Sequence, residues 1–372
     1  MLEEIYEFIE HYENNPFEGY SVFDAFNSPL EFLLKFNNIL TNVIITQFFK
    51  RIPFNIRKYA FIKKSINPKS LGLALEGAMI NQRPNYFIKK LMKNILNFKS
   101  HSTYFSWGYN WHYYTLRGGT FPKYYPNAIV TYFVAAGLLR YYEMTRDKII
   151  LEVLESIEKF FIQELNISNF PEGICFSYSP CDKKVIYNAS ALVTKFLIEK
   201  NKILMEAKNE DIISKSLSFL ASRQQDNGAW FYGEEKNQKW IDSFHTEYIL
   251  EVFATQYAAR QGYEDNYLKG KSYYMDNFIL NKDVCNYFPQ KKYPINIHSI
   301  ASMIIFLSKY DDFNRSIPII KWTFENLYNK SLCSFYYEKN KYYTNRNIYH
   351  RWNQSWMYLA FNHFLNRLED KK

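Results

Sequence analysis

The sequence is poor in cysteine and lacks the features that mark secretion or membrane insertion. Its 372 residues include only four cysteines, which are Cys175, Cys181, Cys285 and Cys333. Because none of them forms a C-x-x-C pair, we expect free thiols in a reducing compartment. The acidic start, Met1 to Tyr6, is unlike a signal peptide, and no apolar run reaches the ~20 residues of a membrane span. The sequence therefore predicts a cytoplasmic protein.

Nucleic-acid-binding motifs are also missing, although the net charge is +9. The basic residues are spread along the chain, and such a charge favours an anionic sugar, a phosphate or a lipid headgroup as partner. We expect no nucleic-acid partner. Aromatic residues, in contrast, are abundant, with 33 Tyr, 32 Phe and 7 Trp making up 19% of the chain. That abundance suits a large helical core or a cavity lined with stacking rings.

Helical periodicity recurs from about residue 65 onward. Apolar helical runs begin at intervals of 53 to 61 residues, near Leu71, Asn127, Asn188, His245, His298 and Trp352. A second, amphipathic helical stretch lies between most of them, so that six helix pairs fit. The helices that open each interval are apolar over most of their surface, which is typical of buried helices. The sequence therefore predicts an all-α fold, an (α/α)6 toroid over residues 65–372.

Polar and aromatic residues precede the inner helices. If these helices run parallel, the residues before them meet at one end of the ring, where helix N-termini also favour bound anions. In the stretch 224–246, Gly228 suits a tight turn, Asp242 is a good N-cap and His245 lies in the first helical turn. The expected substrate-binding residues are Trp107, Tyr109, Asn110, Arg117, Tyr178, Asp182, Asn188, Asp226, Trp230, Trp240, Arg351, Trp352 and Gln354.

Histidine is the expected source of acid/base chemistry. Histidine side chains ordinarily titrate near neutrality, and Asp242 or Asp226 would orient His245 as a general acid/base. His298 has the same position one repeat later and would transfer protons from a second side. Each histidine also has a plainer interpretation, as a hydrogen-bonded structural residue at a helix start. We predict His245, His298 and Asp242 as the catalytic residues.

Charged residues near the same helix starts leave two questions open. Arg351 and Arg117 would clamp a uronate or a phosphate through paired N–H donors, or would form salt bridges to neighbouring carboxylates. Asp182, Asp226 and Asp242 would form a hydrolytic carboxylate pair only if two of them lie at the right separation. Spacing in the sequence does not give that separation.

Two resemblances to known toroids rest on these segments. Gln224 to Trp230 is similar to the Q-x-x-x-G-x-W turn of terpenoid cyclase and prenyltransferase toroids, which indicates the fold and not isoprenoid chemistry. Over about residues 65–365 the chain resembles six-hairpin glycosidase-like toroid proteins associated with surface-polysaccharide biosynthesis. The carrying segments are WGYN (107–110), PN (126–127), YNASA (187–191), WIDSFHT (240–246), PINIHS (294–299) and RWNQSW (351–356). Asn296 stands where that group more usually has Asp, so no acid role is expected there.

The sequence lacks part of the residue set that metal or isoprenoid chemistry would require. A class II terpene cyclase needs a D-x-D-D segment, and the candidate Asp311-Asp312 has the wrong spacing. Asp283-Val284-Cys285 matches half of a prenyltransferase zinc site, which His298 or His350 would complete. That tripeptide, however, follows an outer helix, away from the inner helix starts. We therefore expect no metal and no other cofactor.

Residues 1–64 are expected to form an N-terminal helical extension packed on or beside the toroid. Residues 30–64 mix apolar residues with Lys and Arg at helical spacing, and Pro53 would end or kink the helix. One interpretation is an interfacial helix on an anionic membrane, which would make the protein peripheral at the inner membrane face. The other is a helix packed across the outside of the toroid.

The second resemblance implies saccharide chemistry, as in the glycosidases, polysaccharide lyases and sugar epimerases of this fold. We expect an enzyme of surface or capsular polysaccharide metabolism that acts on an anionic or lipid-linked saccharide by acid/base chemistry, as an epimerase, lyase or hydrolase. Two alternatives stay open. One is a non-catalytic saccharide-binding or scaffold protein of the same pathway. The other is an isoprenoid- or lipid-handling toroid, which would need a deep, dry, apolar channel.

Overall fold

Helices dominate the structure, a computed structural model that describes residues 1–15, 17–30, 38–115, 119–280 and 283–369. In chain order the α-helices are α1 (Leu2–Asn14), α2 (Ile39–Arg51), α3 (Pro68–Ile80), α4 (Asn85–Asn97), α5 (Ala128–Thr145), α6 (Lys148–Lys159), α7 (Tyr187–Leu204), α8 (Glu210–Ser222), α9 (Ser243–Phe253), α10 (Gln256–Arg260), α11 (Glu264–Phe278), α12 (Ile297–Tyr310), α13 (Ser316–Leu327) and α14 (Trp356–Glu369). Turns of π-helix follow α6 at Phe160–Glu164 and precede α14 at His350–Ser355.

Short strands lie in the connections between the helices. They are β1 (Glu18–Gly19), β2 (Ser65–Ile66), β3 (Tyr113–Thr115), β4 (Gly119–Phe121), β5 (Ile167–Phe170), β6 (Gly173–Phe176), β7 (Ile279–Leu280), β8 (Val284–Cys285), β9 (Ile295–Asn296), β10 (Tyr328–Asn329), β11 (Ser334–Phe335), β12 (Glu338–Lys339) and β13 (Thr344–Asn345). The antiparallel pairs are β1–β2, β3–β4, β5–β6, β7–β8 and β10–β11, and β12 lies between β13 and β9.

Within the described residues, six helices form a closed inner ring. Neighbours in this ring are α3, α5, α7, α9, α12 and α14, and α14 packs back against α3. An outer helix packs on each of them in turn, namely α4, α6, α8, α11, α13 and α1. This arrangement is an (α/α)6 toroid, so the fold class predicted from the periodicity is confirmed.

The first helix of the chain lies in the outer layer beside the last one. The ring of Phe8 is 5.6 Å from that of Phe361 in α14, and Tyr12 stacks on Tyr358 at 4.5 Å. Ile5 and Ile9 are also buried in this contact layer. Helix α1 therefore takes the outer position of the sixth helix pair, although it lies at the opposite end of the sequence from α14.

Residue patterns explain the two layers. The inner helices are buried on nearly all sides, and α3 and α5 approach closely because Gly72 and Gly137 face each other. A Cβ atom on Gly72 would lie 2.3 Å from the carbonyl oxygen of Phe133. The outer helix α6, in contrast, buries Val153 and Ile157 on one side only.

A repeated backbone hydrogen bond fixes the starts of the inner helices. The first amides of a helix have no partner inside it, and here the amide that opens an inner helix donates to a tyrosine carbonyl in another connection. The donor and acceptor pairs are Ala128–Tyr178, Tyr187–Tyr232, Ser243–Tyr287, Ile297–Tyr337 and His350–Tyr20, at 2.9 to 3.3 Å. Helix α3 begins with Pro68, which has no amide hydrogen to donate. The inner helix starts are thereby held together at one end of the ring.

Two further predictions can be compared with the structure. All four cysteines are free thiols, as predicted, and Cys175 and Cys285 are buried. Gly228 has a φ of +89°, which confirms the predicted turn. Within the described ranges, none of the helices combines the length and the apolar character needed to cross a bilayer.

Candidate active site

An Asp–His pair lies at the start of the inner helix α9. One carboxylate oxygen of Asp242 accepts the backbone N–H of His245 at 2.9 Å and so caps the helix. The other oxygen lies 2.8 Å from Nδ1 of the His245 ring. Because Asp242 is fully buried, its carboxylate fixes both the helix start and the orientation of the imidazole.

The imidazole of His245 keeps its second nitrogen available. With Nδ1–H donated to Asp242, the lone pair is on Nε2, which has no hydrogen-bond partner among the described residues. The His245 side chain is 20% exposed, and the rings of Tyr232 and Trp240 lie edge-on to it at 4.8 and 5.5 Å. This geometry, an oriented imidazole with one unbonded nitrogen and a partly exposed ring, suits a general acid/base.

His298 lies one repeat further at the start of α12 but is buried. Its ring is 4.2 Å from the ring of Phe244, nearly parallel, and 4.2 Å from that of Trp356. Its Nε2 is 3.1 Å from the hydroxyl of Tyr248, and its Nδ1 has no partner in the described residues. Burial, with the nearby charges of Lys69 and Arg351, holds the pKa of His298 well below its usual value. His298 is therefore a neutral imidazole near His245.

Two buried cations share this end of the ring. Lys69, at the second position of α3, is 3% exposed, and Arg351 is also 3% exposed. Neither forms an ion pair with any residue that the structure describes. Burial and the charge of Arg351 lower the pKa of Lys69 well below its ordinary value. Glu247 attracts Lys69, but burial raises the pKa of that carboxyl well above its own usual range, so it neutralises Lys69 poorly.

Aromatic faces hold both cations in place. The ammonium of Lys69 lies 3.8 Å from the ring centre of Phe133. The guanidinium of Arg351 lies 5.4, 5.2 and 4.9 Å from the rings of Tyr109, Trp111 and Trp352. Cation–π contacts of this kind retain a positive charge without neutralising it. The Nε of Arg351 is buried without a hydrogen-bond partner in the described part of the chain, which leaves a donor for an anion.

The structure brings together eight of the sixteen predicted site residues. We name this region the mouth and define it by Lys69, Tyr109, Trp111, Tyr178, Trp240, Asp242, His245, Tyr248, His298, Arg351 and Trp352. Trp352 connects its two halves, because its ring lies 4.9 Å from His298 and below Arg351. Tyr178 lies near Tyr109 in the mouth. Burial raises the pKa of the Tyr178 hydroxyl well above its usual value, and the neighbouring Tyr109 raises it further.

Two predicted tryptophans lie in the core instead. The indole N–H of Trp107 donates to the carbonyl of Ile95 at 2.9 Å, and that of Trp230 donates to the carbonyl of Leu220 at 2.9 Å. In both cases the acceptor lies near the end of an outer helix. Because both rings are almost fully buried, they present no face to the mouth.

Three predicted amide residues are buried as well. Both ends of the Gln354 side chain bond the backbone of Phe335, at 3.0 and 2.8 Å. The Asn110 side chain bonds Ser65 and Asn67 and ties its loop to the start of α3. Asn188 is buried in the first turn of α7, and its side-chain oxygen has no partner in the described residues.

The predicted carboxylates do not form a pair at the mouth. Asp226 is exposed in the turn after α8, beside Gly228. Asp182 accepts the hydroxyl of Ser179 and the amide of Lys184 within its own loop. Asp242 is committed to His245. Arg117 lies outside the described residues.

Sequence reasoning missed Lys69 and gave no role to Trp111 or Tyr248. The available signal for Lys69 was its position just after Asn67 and Pro68, which are an N-cap and a first helical residue. Asn296, which we expected to have no acid role, caps α12 by accepting the amide of His298 at 3.0 Å and also accepts the indole N–H of Trp352.

The N-terminal segment reaches the mouth from outside. The ring of Phe23 lies 6.1 Å from Trp111 and 6.2 Å from Trp352. Arg57 forms a buried ion pair with Asp24 at 2.6 Å. Of the segment predicted to contact a membrane, residues 31–37 lie outside the described ones. Helix α2 follows them and ends before Pro53, as predicted.

A cavity of about 920 Å³ opens at the opposite end of the ring, between the C-terminal halves of the inner helices. Its lining includes Glu76, Arg140, Lys195 and Lys309, and Glu251 bonds both lysines. Burial alone would raise the pKa of Glu251, but these lysines lower it below the usual value. A lining so rich in charge differs from the dry, apolar channel expected of a lipid-handling toroid. Asp242, His245 and His298 are at the mouth and do not line this cavity.

Metal ligation was the other chemistry weighed from the sequence. The thiol of Cys285 donates to the carbonyl of Ser299 at 3.2 Å. Across the described residues, no three His, Cys, Asp or Glu side chains come together in a group that could hold a metal ion.

The chain shares its (α/α)6 toroid with solved structures of other proteins. It is similar to a cellobiose 2-epimerase from Bacillus thermoamylovorans B4167, with a TM-score of 0.60 and 10% identity over 80% of this chain and 86% of that one. The Lin0763 protein from Listeria innocua gives a TM-score of 0.61 and 11% identity, over 86% and 90% of the two chains.

A third similar structure contains a bound sugar. It is an inactive variant of an α-1,6-mannanase from Salegentibacter sp. HEL1_6 in complex with α-1,6-mannotriose, with a TM-score of 0.58 and 12% identity over 82% and 91% of the chains. At such identities these likenesses establish the fold alone. The sequence matches no protein-family model and no curated protein.

Proposed function

We propose that the protein is an enzyme of surface-polysaccharide metabolism that removes a proton from an anionic saccharide, free or lipid-linked, with His245 as the base. One observation carries this proposal: an oriented imidazole and two unpaired buried cations, Lys69 and Arg351, lie at the same mouth. A buried cation without a partner is costly, and its persistence suggests that a ligand supplies the anion.

The arrangement favours chemistry next to a carboxylate. His245 Nε2 would take the proton from the carbon beside a uronate carboxylate, and the electron pair of that C–H bond would move onto the carboxylate oxygens. Lys69 and Arg351 would stabilise the negative charge that develops there. Return of a proton to the opposite face gives epimerisation, and loss of the oxygen substituent on the next carbon gives a lyase product. Tyr109 and Trp240, which are partly exposed, offer rings for sugar stacking.

Hydrolysis by two carboxylates is less well supported. That mechanism needs an acid and a base on either side of the scissile bond. Of the predicted carboxylates, Asp226 lies in an exposed turn and Asp242 is bonded to His245. The similar structures include both an epimerase and a mannanase, and the acid/base residues of the mouth fit the first of these chemistries better.

Deuterium exchange tests the proposal. The protein would be incubated in D₂O with a panel of uronate-containing oligosaccharides and with neutral oligosaccharides of the same length. We expect deuterium at the carbon beside the carboxylate of one uronate substrate, detected by NMR and mass spectrometry, and none in the neutral panel. His245→Ala should abolish the exchange while leaving the circular dichroism spectrum unchanged.

Other outcomes would overturn the proposal. New reducing ends without exchange, and without a carbon–carbon double bond beside the carboxylate, would indicate a hydrolase. Tight binding of a saccharide that is recovered unchanged after prolonged incubation would favour the non-catalytic binding protein. Exchange that persists in His245→Ala would remove His245 as the base.

A further inference from the structure

Helix α2 exposes an apolar stripe, although it also buries the ring of Phe49. Leu40, Ile44 and Phe48 lie one turn apart, and their exposed fractions are 50%, 58% and 57%. Asn42 and Thr46, on the other side of the helix, are buried. A helix that only packs on its own domain turns its apolar stripe inward. Packing within this chain therefore accounts for Phe49 but not for the exposed apolar stripe of α2.

The exposed apolar surface continues after the helix. Phe54, Tyr59 and Phe61 are each more than half exposed. We name these three and the α2 stripe the apolar patch, defined by Leu40, Ile44, Phe48, Phe54, Tyr59 and Phe61. Scattered exposed apolar residues are normal on a protein surface, but several in one short segment usually mark a contact surface.

The sequence segment that carries the apolar patch has charges of one sign. The sequence has no Asp or Glu between residues 32 and 75. Arg51, Lys58, Lys63 and Lys64 are exposed there. A surface that combines apolar side chains with cations, and lacks carboxylates, is complementary to anionic lipid headgroups above an acyl layer.

The apolar patch is fixed to the toroid beside the mouth. The side-chain amide of Asn347 donates to the carbonyl of Ile52 at 2.7 Å, and the backbone amide of Arg346 donates to the carbonyl of Pro53 at 2.9 Å. The guanidinium of Arg57 lies 4.7 Å from the ring of Tyr349. These residues of the toroid immediately precede Arg351 in the mouth, so the patch is held at the edge of the mouth.

We propose that the apolar patch and its four exposed cations dock the protein on an anionic lipid bilayer, with the mouth close to the membrane surface. Charge decides the occupant, because a second copy of this chain would bring two sets of like charges together. A membrane-bound orientation would present the mouth to a lipid-linked saccharide, and this last step rests on the proposed function.

Vesicle flotation tests the docking. The full chain would be mixed with vesicles of phosphatidylcholine alone or with vesicles that also contain phosphatidylglycerol. We expect binding to the anionic vesicles only, weakening as salt is raised. Leu40→Ser/Ile44→Ser/Phe48→Ser should weaken binding at least ~10-fold, because three apolar side chains no longer enter the acyl boundary. Arg51→Gln/Lys58→Gln/Lys63→Gln/Lys64→Gln should weaken it by about fivefold per charge removed.

Matched variants elsewhere on the surface serve as controls. Ile149, Met205 and Leu268 are at least half exposed on other faces, and their triple serine variant should bind like the wild type. The charge control is a quadruple glutamine variant of exposed lysines outside the patch, Lys93, Lys148, Lys236 and Lys321. Equal binding to neutral and anionic vesicles, or equal loss in patch and control variants, would overturn the proposal.

Self-association is the competing outcome. Dimers in sedimentation velocity that the patch variant abolishes, without vesicle binding by the wild type, would assign the patch to a second copy and overturn membrane docking. The test is independent of the proposed function. His245→Ala should bind vesicles normally, and the patch variants should retain turnover of a water-soluble saccharide.

Discussion

Asp242 and Asn296 cap neighbouring inner helices of the ring, and only Asp242 also bonds the histidine that follows it. The side-chain oxygen of Asn296 accepts the backbone N–H of His298 and the indole N–H of Trp352. It makes no bond to the His298 ring, which therefore has no orienting carboxylate at this position. Asp242 accepts both the amide and Nδ1 of His245. Two equivalent helix starts thus give one buried, neutral imidazole and one imidazole positioned to act as a base.

The same comparison yields a prediction for Asp242→Asn. Asparagine caps a helix as well as aspartate, so the free energy of unfolding should change by less than about 1 kcal/mol. The negative charge that orients and supports the His245 imidazolium would be lost, and we expect kcat to fall by ~10²-fold or more. Steady-state kinetics and urea unfolding would check the two halves. A fall in stability with unchanged kcat would contradict a catalytic role for the pair.

We predict that Lys69 lowers the free energy of unfolding and strengthens the binding of an anionic saccharide. Its ammonium is buried without an ion pair in the described part of the chain, so Lys69→Met should raise the free energy of unfolding by about 1–2 kcal/mol. The same variant should bind an anionic saccharide ~10-fold or more weakly, because a charge-assisted contact is lost. Urea unfolding and calorimetric titration measure the two effects.

A second buried lysine provides the control. Lys195 is paired with Glu251, which also bonds Lys309, so Lys195→Met should lower the free energy of unfolding by about 1.5–3 kcal/mol. If both lysine variants lose stability to the same extent, Lys69 has a structural partner and the anion site is not supported.

Trp230→Phe should distinguish packing from binding. The Trp230 indole stacks on Phe253 at 5.4 Å and donates to the Leu220 carbonyl. Phenylalanine keeps most of the ring but leaves that carbonyl without its donor, at a cost of about 1–2 kcal/mol in unfolding free energy. We expect kcat and KM to stay at wild-type values. A raised KM with unchanged stability would return Trp230 to the binding site.

The fold was predictable because its determinants are local and repeated. The interval between apolar runs, the all-round apolar character of α5 and α12, and caps such as Asn127 and Asp242 can all be read along the chain. The position of α1 is not predictable in this way. Its contact with α14 joins residues more than three hundred positions apart, such as Phe8 and Phe361, and it arises only when the ring closes.

The candidate site could be predicted only for residues whose place in the sequence determines what surrounds their side chains. His245 and Arg351 follow from their places at helix starts. Trp107 and Trp230 have equally suggestive positions, but whether an indole faces a cavity or bonds a helix-end carbonyl depends on packing across repeats. Lys69 was missed for the opposite reason. A lysine in the first turn of a helix normally faces solvent, and its burial follows from Phe133 and Trp356 of other helices.

Neutral histidines that are buried or partly buried make the stability of this protein sensitive to acid. His350 stacks on Tyr12 at 5.1 Å, and its Nε2 has no partner in the described residues. Burial, with the charge of Lys64, lowers the pKa of His350 from 6.5 to about 4. The pKa of His350 is lower in the folded protein than in the unfolded chain. Between pH ~6.5 and ~4 only the unfolded chain therefore takes up the proton, and the free energy of unfolding falls as the pH is lowered through this range.

His350→Phe keeps the stack on Tyr12 and removes that proton. The dependence of unfolding free energy on pH, measured by urea titration between pH ~6.5 and ~5, should become shallower by up to about 1.4 kcal/mol per pH unit, the effect of one proton. Buried His298 and His363, whose pKa values are also lowered by burial, would keep part of the slope in both proteins. Identical slopes would mean that His350 takes up its proton without unfolding, because water reaches its ring at the contact between α1 and the start of α14.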